Sequence, residues 1–226
     1  MQPLRRRFDK FWREDRGLSV LLGFLAVVSF IAAPLAHAFP GGDTVLSVMV
    51  SVLFAAGGFV VADRRRDGLL LAGIALLPIV LEWAGRLHPT PAMRASASAA
   101  SLLFVVIVMS RVFARVVKRG PVTVHHVVGA VAVYLLIGLA FAEAARTIDI
   151  LDPGAYTMPA SPTDTRIDLY YFSFITLTTV GYGDLTPAHP MSRALAVLEA
   201  LVGQMFPAIL IARLVSQELM SRPSRE

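Results

Sequence analysis

The chain has 226 residues, of which 56% are hydrophobic and only 16% are charged. This balance excludes an ordinary soluble domain and is typical of an integral membrane protein. The formal net charge of +5 does not indicate a nucleic-acid partner, because the basic residues fall in the gaps between apolar runs. The absence of cysteine excludes disulfides and thiolate metal sites.

Six apolar runs are candidates to cross a hydrocarbon core, which takes roughly 20 residues as a helix. They are 18–39, 45–62, 69–83, 95–117, 122–145 and 191–215. The third run is the weakest, because Pro78 and Glu82 lie inside it. The first run could instead be a cleaved signal peptide ending at AHAF, 36–39, although we favour a retained anchor. The predicted fold class is an all-α membrane protein with six transmembrane helices.

Basic residues assign each gap to one side of the membrane, since positively charged loops stay in the cytoplasm. Sixteen of the 21 Lys and Arg residues fall on the side that holds both termini, and five fall on the other side. We therefore expect a multi-pass protein of the cell membrane with both termini in the cytoplasm and segment 143–190 outside.

The segment between the fifth and sixth runs reads PTDTRIDLYYFSFITLTTVGYGD. Thr165 and Asp168 have the spacing of a capping box, which predicts a helix from Thr165 to Thr178. Such a helix is about 20 Å long, too short to cross the bilayer, so we expect it to enter from outside and stop partway. Irregular backbone at that depth is tolerated only where it is buried in protein or lines a wet cavity.

The residues after this short helix suit cation binding by the backbone. Gly181 and Gly183 allow successive carbonyl oxygens to point the same way. A column of such carbonyls, with the Thr179 hydroxyl at its inner end, can replace the water shell of a cation. The sequence TLTTVGYGD, 176–184, resembles the selectivity filter of the tetrameric potassium channel family, and the resemblance extends over about 122–217.

The resemblance implies a homotetramer that conducts K+ through a pore lined by four copies of this segment. The selectivity filter would comprise Thr179, Val180, Gly181, Tyr182, Gly183 and Asp184, with K+ held by the carbonyls of the first four and by the Thr179 hydroxyl. The expected partners are K+, membrane lipid and the other copies of the chain. No cofactor and no nucleic acid are expected.

Four residues are expected to support the filter: Thr176, Thr178, Tyr171 and Glu199. The resemblance implies that Tyr171 ties down Asp184 and that the Tyr182 ring packs on the aromatic residues at 170–172. Some bacterial members carry a glutamate at the position of Ile175, which is absent here. Glu199 either hydrogen-bonds Ser173 or Thr176 behind the filter, or lines the cavity, because a carboxylate at that depth must be paired or wet.

Gating residues are less clearly indicated. Gly203 and Pro207 lie where the family places a gating hinge, and proline loosens a helix by removing a backbone hydrogen bond. The alternative is a glycine that lets helices pack closely. The fourth run carries no charge from 95 to 110, and its basic residues cluster at the inner end, so strong voltage sensing is not expected.

These features divide the chain into a basic cytoplasmic N-terminus (1–17), four peripheral helices (18–119), a pore domain (120–217) and a short cytoplasmic tail (218–226). The pore domain comprises a helix, an outer turret, the short helix, the filter and a last helix. We expect no cytoplasmic regulatory domain and no enzymatic activity. The alternatives to a K+-selective channel are a weakly selective cation channel and a non-conducting regulatory subunit.

Overall fold

The computed structural model describes residues 18–31, 42–61, 65–117, 124–157 and 165–221. These residues form seven helices: α1 (Leu18–Phe30), α2 (Gly42–Val61), α3 (Arg65–Leu87), α4 (Pro91–Val116), α5 (Val124–Leu151), α6 (Thr165–Leu177) and α7 (Pro190–Ser221). Two short strands, β1 (Tyr156–Thr157) and β2 (Thr186–Pro187), pair between them. The basic N-terminus, the AHAF stretch and the turret residues 158–164 lie outside the described residues.

Three of the described helical segments are long and apolar enough to cross a membrane: Pro91–Val116, His126–Leu151 and Pro190–Arg213. They correspond to the fourth, fifth and sixth apolar runs. Shorter apolar helical stretches, Leu18–Phe30 and Ser47–Gly58, occur in α1 and α2. The predicted all-helical class is confirmed, with three spans by these criteria.

Helices α4 and α5 extend beyond their apolar runs, each for a local reason. Thr90 caps α4 by accepting a hydrogen bond from the Met93 amide at 3.2 Å, and Pro91 takes the first helical position. Helix α5 continues past its predicted end at 145 to Leu151. Arg146 does not end the helix, because it lies 3.4 Å from Glu82 and 3.6 Å from Glu143.

The centre of the structure is α5, which packs against α4 on one side and against α6 and α7 on the other. Its buried side chains include Val133, Leu136 and Leu139. Burial inside a bilayer removes little water, so these contacts are stabilised by close packing and by hydrogen bonds between helices. One such bond joins Ser98 Oγ on α4 to Glu143 Oε2 on α5 at 2.9 Å.

The strand pair holds together the two segments that flank α6. Strands β1 and β2 are antiparallel, with Tyr156 opposite Pro187 and Thr157 opposite Thr186. Next to them, the buried Ser192 hydroxyl donates to the Ala155 carbonyl at 2.6 Å. The backbone that follows residue 184 is thereby fixed to the backbone that follows α5.

Candidate ion-conduction site

The candidate site begins with α6, which has 13 residues and is therefore about 20 Å long. It begins at Thr165, where the capping-box spacing predicted a start, and ends at Leu177, one residue before the predicted end. Ile167, Leu169 and Phe172 are among its buried residues. The helix therefore stops within the protein, and residues 178–184, the TTVGYGD segment, continue from its last turn.

The amides at the start of the TTVGYGD segment turn back onto the end of α6. The four hydrogen bonds are Thr178 N to Phe174 O at 3.1 Å, Thr179 N to Thr176 O at 2.9 Å, Val180 N to Ile175 O at 2.9 Å and Gly181 N to Ile175 O at 3.2 Å. The carbonyls of residues 179–182 accept no hydrogen bond from the described part of the chain. Residues 179–182 are exposed in the single chain, so these four carbonyls are available to an external ligand.

The backbone dihedral φ alternates in sign from residue 179 to residue 183. Among the described residues from 179 to 183, φ is positive at Thr179 (59°), Gly181 (53°) and Gly183 (80°) and negative at the two residues between. In a strand with uniformly negative φ, successive carbonyls point to opposite sides. Reversing every second residue brings the carbonyls toward one side, which produces a column of oxygen atoms.

Thr179 contributes to this geometry in a way that sequence reasoning missed. Positive φ in a β-branched residue is a genuine outlier, with a cost of roughly 1–3 kcal/mol. Glycine marks such positions in a sequence, whereas threonine gives no signal. The structure therefore holds Thr179 in a conformation that its own side chain disfavours.

In a single chain the TTVGYGD segment lies open. Val180 is 52% exposed and Tyr182 is 73% exposed. Tyr182 makes no ring contact with the aromatic side chains that the structure describes. The aromatic residues expected to receive it have other partners: Phe172 packs on Tyr156 with 5.3 Å between ring centroids, and Tyr170 bonds Glu143.

The outer end of the segment is held at Asp184. The Tyr171 hydroxyl donates to Asp184 Oδ2 at 2.8 Å, and the Leu185 amide donates to Oδ1 at 3.1 Å. Both carboxylate oxygens are thus occupied, which fixes the chain where it leaves the segment. Tyr171 and Asp184 stand in the relation that the family resemblance implied.

Behind the segment, Glu199 on α7 is 1% exposed and reaches α6. Ser173 Oγ lies 2.5 Å from Glu199 Oε1 and 2.7 Å from the Gly138 carbonyl oxygen of α5. A hydroxyl carries one proton and can donate to only one of these oxygens. Both contacts can be hydrogen bonds if the Glu199 carboxyl carries a proton. It then donates to Ser173 Oγ, and the Ser173 hydroxyl donates to the Gly138 carbonyl. Of the two alternatives, the structure places Glu199 behind α6 with Ser173, not in a cavity.

The other two support residues act on the end of α6. The Thr178 hydroxyl donates to the Phe174 carbonyl at 2.7 Å, which satisfies a carbonyl of the last helical turn. Thr176 contributes its carbonyl to the amide of Thr179. Neither threonine side chain bonds Glu199 in the described residues.

The inner end of the segment lies against Gly203 of α7. A Cβ atom added to Gly203 would lie 1.9 Å from the Leu177 carbonyl oxygen, so only glycine fits at this contact. The Tyr134 hydroxyl of α5 donates to the same carbonyl at 3.3 Å. The structure thus gives Gly203 a packing reason, which was the alternative to a gating hinge. Pro207 lies inside the continuous helix α7, one turn further along.

The chain was compared with known proteins. Residues 122–218 match the family described as ion channel. Two pore potassium channel c of Oryza sativa subsp. japonica is 37% identical over 99 residues, which are 44% of this chain and 20% of that protein. Inward rectifier potassium channel Kirbac3.1 of Paramagnetospirillum magnetotacticum is 34% identical over 74 residues, 33% of this chain and 22% of that protein. The matched segment is thus similar to ion channels, and two of these relatives are named as potassium channels.

A further relative is Protein LctB of Bacillus caldotenax, 37% identical over 87 residues, which are 36% of this chain and 64% of that protein. The chain therefore spans between a fifth and two thirds of the length of these curated relatives. No solved structure matches it significantly. The similarity of residues 122–218 to ion channels agrees with the prediction of a channel protein that is not an enzyme.

The match to the ion channel family runs from α5 through α7 and so includes every residue of the site described above. Within the described residues, no group of three or more His, Asp or Glu side chains is placed to hold a metal ion. The oxygen atoms that the TTVGYGD segment leaves exposed include the backbone carbonyls of residues 179–182.

A buried ion cluster at the outer end of α5 was missed by the sequence analysis. Arg166, at the start of α6, is 3% exposed and lies 2.7 Å from Glu82 of α3 and 3.1 Å from Glu143 of α5. The Tyr170 hydroxyl donates to Glu143 at 2.5 Å, and Arg146 lies 3.4 Å from Glu82. We name these five residues the outer ion cluster. The sequence placed Arg166 at the start of the short helix and gave no signal that it pairs with residues 84 and 23 positions away.

Proposed function

We propose that the chain forms a potassium-selective ion channel, a homotetramer in which four TTVGYGD segments surround one ion path. The observation that carries this proposal is the column of carbonyls with no partner in the described part of the chain, in a segment whose first four amides bond back to α6. Rings of carbonyl oxygens replace the hydration shell of K+ in selectivity filters. The relatives named as potassium channels support the choice of ion.

The ion ligands are the carbonyls of Thr179, Val180, Gly181 and Tyr182 with the Thr179 hydroxyl. Gly183 and Asp184 complete the filter at its outer mouth, where Tyr171 fixes Asp184. K+ is the transported ion and needs no cofactor, because a channel lets it move down its electrochemical gradient. The Tyr182 ring, exposed in one chain, packs against a neighbouring copy in this assembly.

Assembly into four copies is supported by what a single chain leaves uncovered. One chain supplies one column of carbonyls, and a cation has to be surrounded on all sides. Helix α7, beside the filter, has an apolar window of which only 11% is buried within the chain. Both features support an assembly with further copies of α7 and of the filter around a common axis.

In the membrane we propose six spans, with both termini cytoplasmic and the filter opening to the outside. The N-terminal segment 1–17 and the tail 218–226 are cytoplasmic, residues 18–119 form the peripheral helices, and residues 120–217 form the pore domain with the turret above it. This arrangement is supported by the distribution of basic residues, since sixteen of 21 fall on the inner side. Lipid contacts the outward-facing apolar side chains.

Gating is proposed to involve bending of α7 near Gly203 and Pro207, because proline removes a backbone hydrogen bond from the helix. Voltage is not the main stimulus. In the described part of α4, Arg111 and Arg115 lie in the last turns and Arg94 at the opposite end, with no basic residue between. A sensor that moves through the field needs charges along the helix.

The test is planar-bilayer recording of the purified full chain under a K+/Na+ gradient, with Gly181→Ala and Tyr182→Asp as variants. The expected reversal potential of the wild type is near that of K+. Gly181→Ala forces a side chain onto φ +53° and is expected to move the reversal potential toward zero. Gly73→Ala is the matched control, because its Cβ meets no atom within 4 Å and its position is distant from the filter.

Each contrary outcome selects a different alternative. A wild-type reversal potential near zero would indicate a weakly selective cation channel. Absence of current from a protein shown to be tetrameric would favour the regulatory subunit. Retention of K+ selectivity in both variants would contradict the assignment of the filter.

A further inference from the structure

The residue that follows Gly203 makes a contact with the filter that the family resemblance does not assign. Gln204 Nε2 lies 2.8 Å from Thr179 Oγ1, across 25 positions of sequence. The hydroxyl at the inner end of the carbonyl column is therefore held by α7. Sequence reasoning missed the contact, because a glutamine next to a helix-packing glycine gives no sign of which way it points.

The position of Gln204 relative to the filter is fixed by its neighbour. Gly203 lies against the Leu177 carbonyl so closely that no Cβ fits, and this carbonyl is also bonded by Tyr134. The backbone of α7 is thus in contact with the end of α6 at the residue before Gln204. Because the backbone at Gln204 is fixed, its side-chain amide can reach only a small region, and Thr179 Oγ1 lies within that region.

The direction of the hydrogen bond determines its chemical effect. An amide nitrogen only donates, so the Thr179 oxygen accepts from Gln204 with one lone pair and keeps the other for a second ligand. The bond therefore orients the hydroxyl oxygen without occupying it fully. Thr179 needs such support, because its φ of 59° is disfavoured for a β-branched residue.

We propose that Gln204 is the positioning residue of the innermost ion site. In this role its amide orients the Thr179 hydroxyl, so that it sets how tightly that site binds a cation arriving from the inner side and how well it distinguishes K+ from Na+. This inference rests on the proposed function, since four copies of the filter are needed to build the site.

The first experiment records the full-length channel in planar bilayers with Ba2+, a divalent cation of nearly the radius of K+, added to the inner side. Gln204→Leu keeps the approximate volume and removes the donor. We expect about fivefold weaker Ba2+ block, as for the loss of one neutral hydrogen bond, and a lower permeability ratio of K+ to Na+. Met205→Leu is the control: this neighbouring side chain is exposed, and we expect wild-type block.

A double-mutant cycle distinguishes positioning of the hydroxyl from a general effect on α7. In the Thr179→Val background, which lacks the hydroxyl, Gln204→Leu should cause no further loss of Ba2+ block. In the Thr179→Ser background, which retains the hydroxyl, it should again cause about a fivefold loss. Equal losses in both backgrounds would overturn the proposal.

Variants that carry no current are tested by titrating Ba2+ into the purified protein in a calorimeter, which needs no conduction. About fivefold weaker binding by Gln204→Leu is expected, and unchanged binding would overturn the inference. The two proposals fail in different ways. A wild type with no K+ selectivity contradicts the proposed function, whereas a selective wild type that Gln204→Leu does not alter overturns only the role of Gln204.

Discussion

Helices α5 and α7 are almost equally apolar, yet they differ strongly in the fraction that is buried within the chain. Their most apolar windows have mean hydropathies of 2.2 and 2.0, but 67% of the α5 window is buried against 11% of the α7 window. The side chains of α5 pack on α4 and α6, whereas Leu198, Leu201 and Met205 of α7 are more than half exposed. Hydropathy alone therefore does not predict how much of a helix is buried within its own chain.

The two helices also carry different buried carboxyl groups. Glu143 of α5 faces two guanidinium groups, those of Arg166 and Arg146, and so belongs to an ionic cluster. Glu199 of α7 faces a serine hydroxyl. Helix α5 is therefore stabilised within its own chain by ion pairs. Helix α7 is held beside the filter by the hydrogen bond of Glu199 and by the close packing of Gly203.

The largest expected effect comes from placing a polar residue on each helix. Leu136→Asn on α5, where the leucine is 3% exposed, should lower the free energy of unfolding by about 5 kcal/mol, because it leaves a cavity and an unpaired amide. Leu201→Asn on α7 should leave the chain helical and reduce its assembly. Circular dichroism and light scattering in detergent measure the two effects. Loss of helicity in both variants would remove the distinction between the helices.

The next effect concerns the outer ion cluster. Glu143→Gln removes one partner of a buried ion group and should destabilise the chain by about 4 kcal/mol. The measurement is the midpoint of unfolding in an SDS titration. Arg193→Gln is the control, since that arginine is exposed on α7 and should change the midpoint little. A small effect of Glu143→Gln would mean that Glu82 alone compensates Arg166.

A smaller effect is expected from three glycines that differ in what a methyl group would meet. Gly203→Ala on α7 meets a backbone oxygen that cannot move aside and should cost about 3 kcal/mol, with weaker assembly. Gly138→Ala on α5 meets the Phe174 ring, which can turn, so it should cost less. Gly73→Ala meets nothing within 4 Å and should be neutral or slightly stabilising. A different order in thermal unfolding temperature would contradict the proposed packing.

The smallest effect is predicted for Glu199→Gln. If the carboxyl carries a proton, a glutamine amide can donate to Ser173 in its place, and the free energy of unfolding should change by less than about 1 kcal/mol. Glu199→Leu lacks a donor and should cost roughly 2 kcal/mol more. Equal destabilisation by the two variants in the same SDS titration would show that the negative charge itself is required.

The sequence was sufficient for the parts of the site that depend on neighbouring residues. The start of α6 at Thr165 follows from a capping pattern, and the positions of Gly181 and Gly183 follow from backbone sterics. Contacts between distant segments were not predictable in the same way. The pairing of Arg166 was not predictable because its carboxylate partners lie on α3 and α5, and only the packing of those helices brings them together.

Arg166 has a consequence for how the chain can be divided. Its guanidinium lies 2.7 Å from a carboxylate of α3, in the peripheral helices, and sits at the first turn of the helix whose last turn shapes the ion path. Of the described cluster, a pore unit excised without α3 would keep Arg166 and the partly buried Arg146 but lose Glu82, one of their two glutamate partners. The peripheral helices are therefore not independent of the pore domain. A tilt of α3 would move Glu82 and so act directly on Arg166 in the first turn of α6.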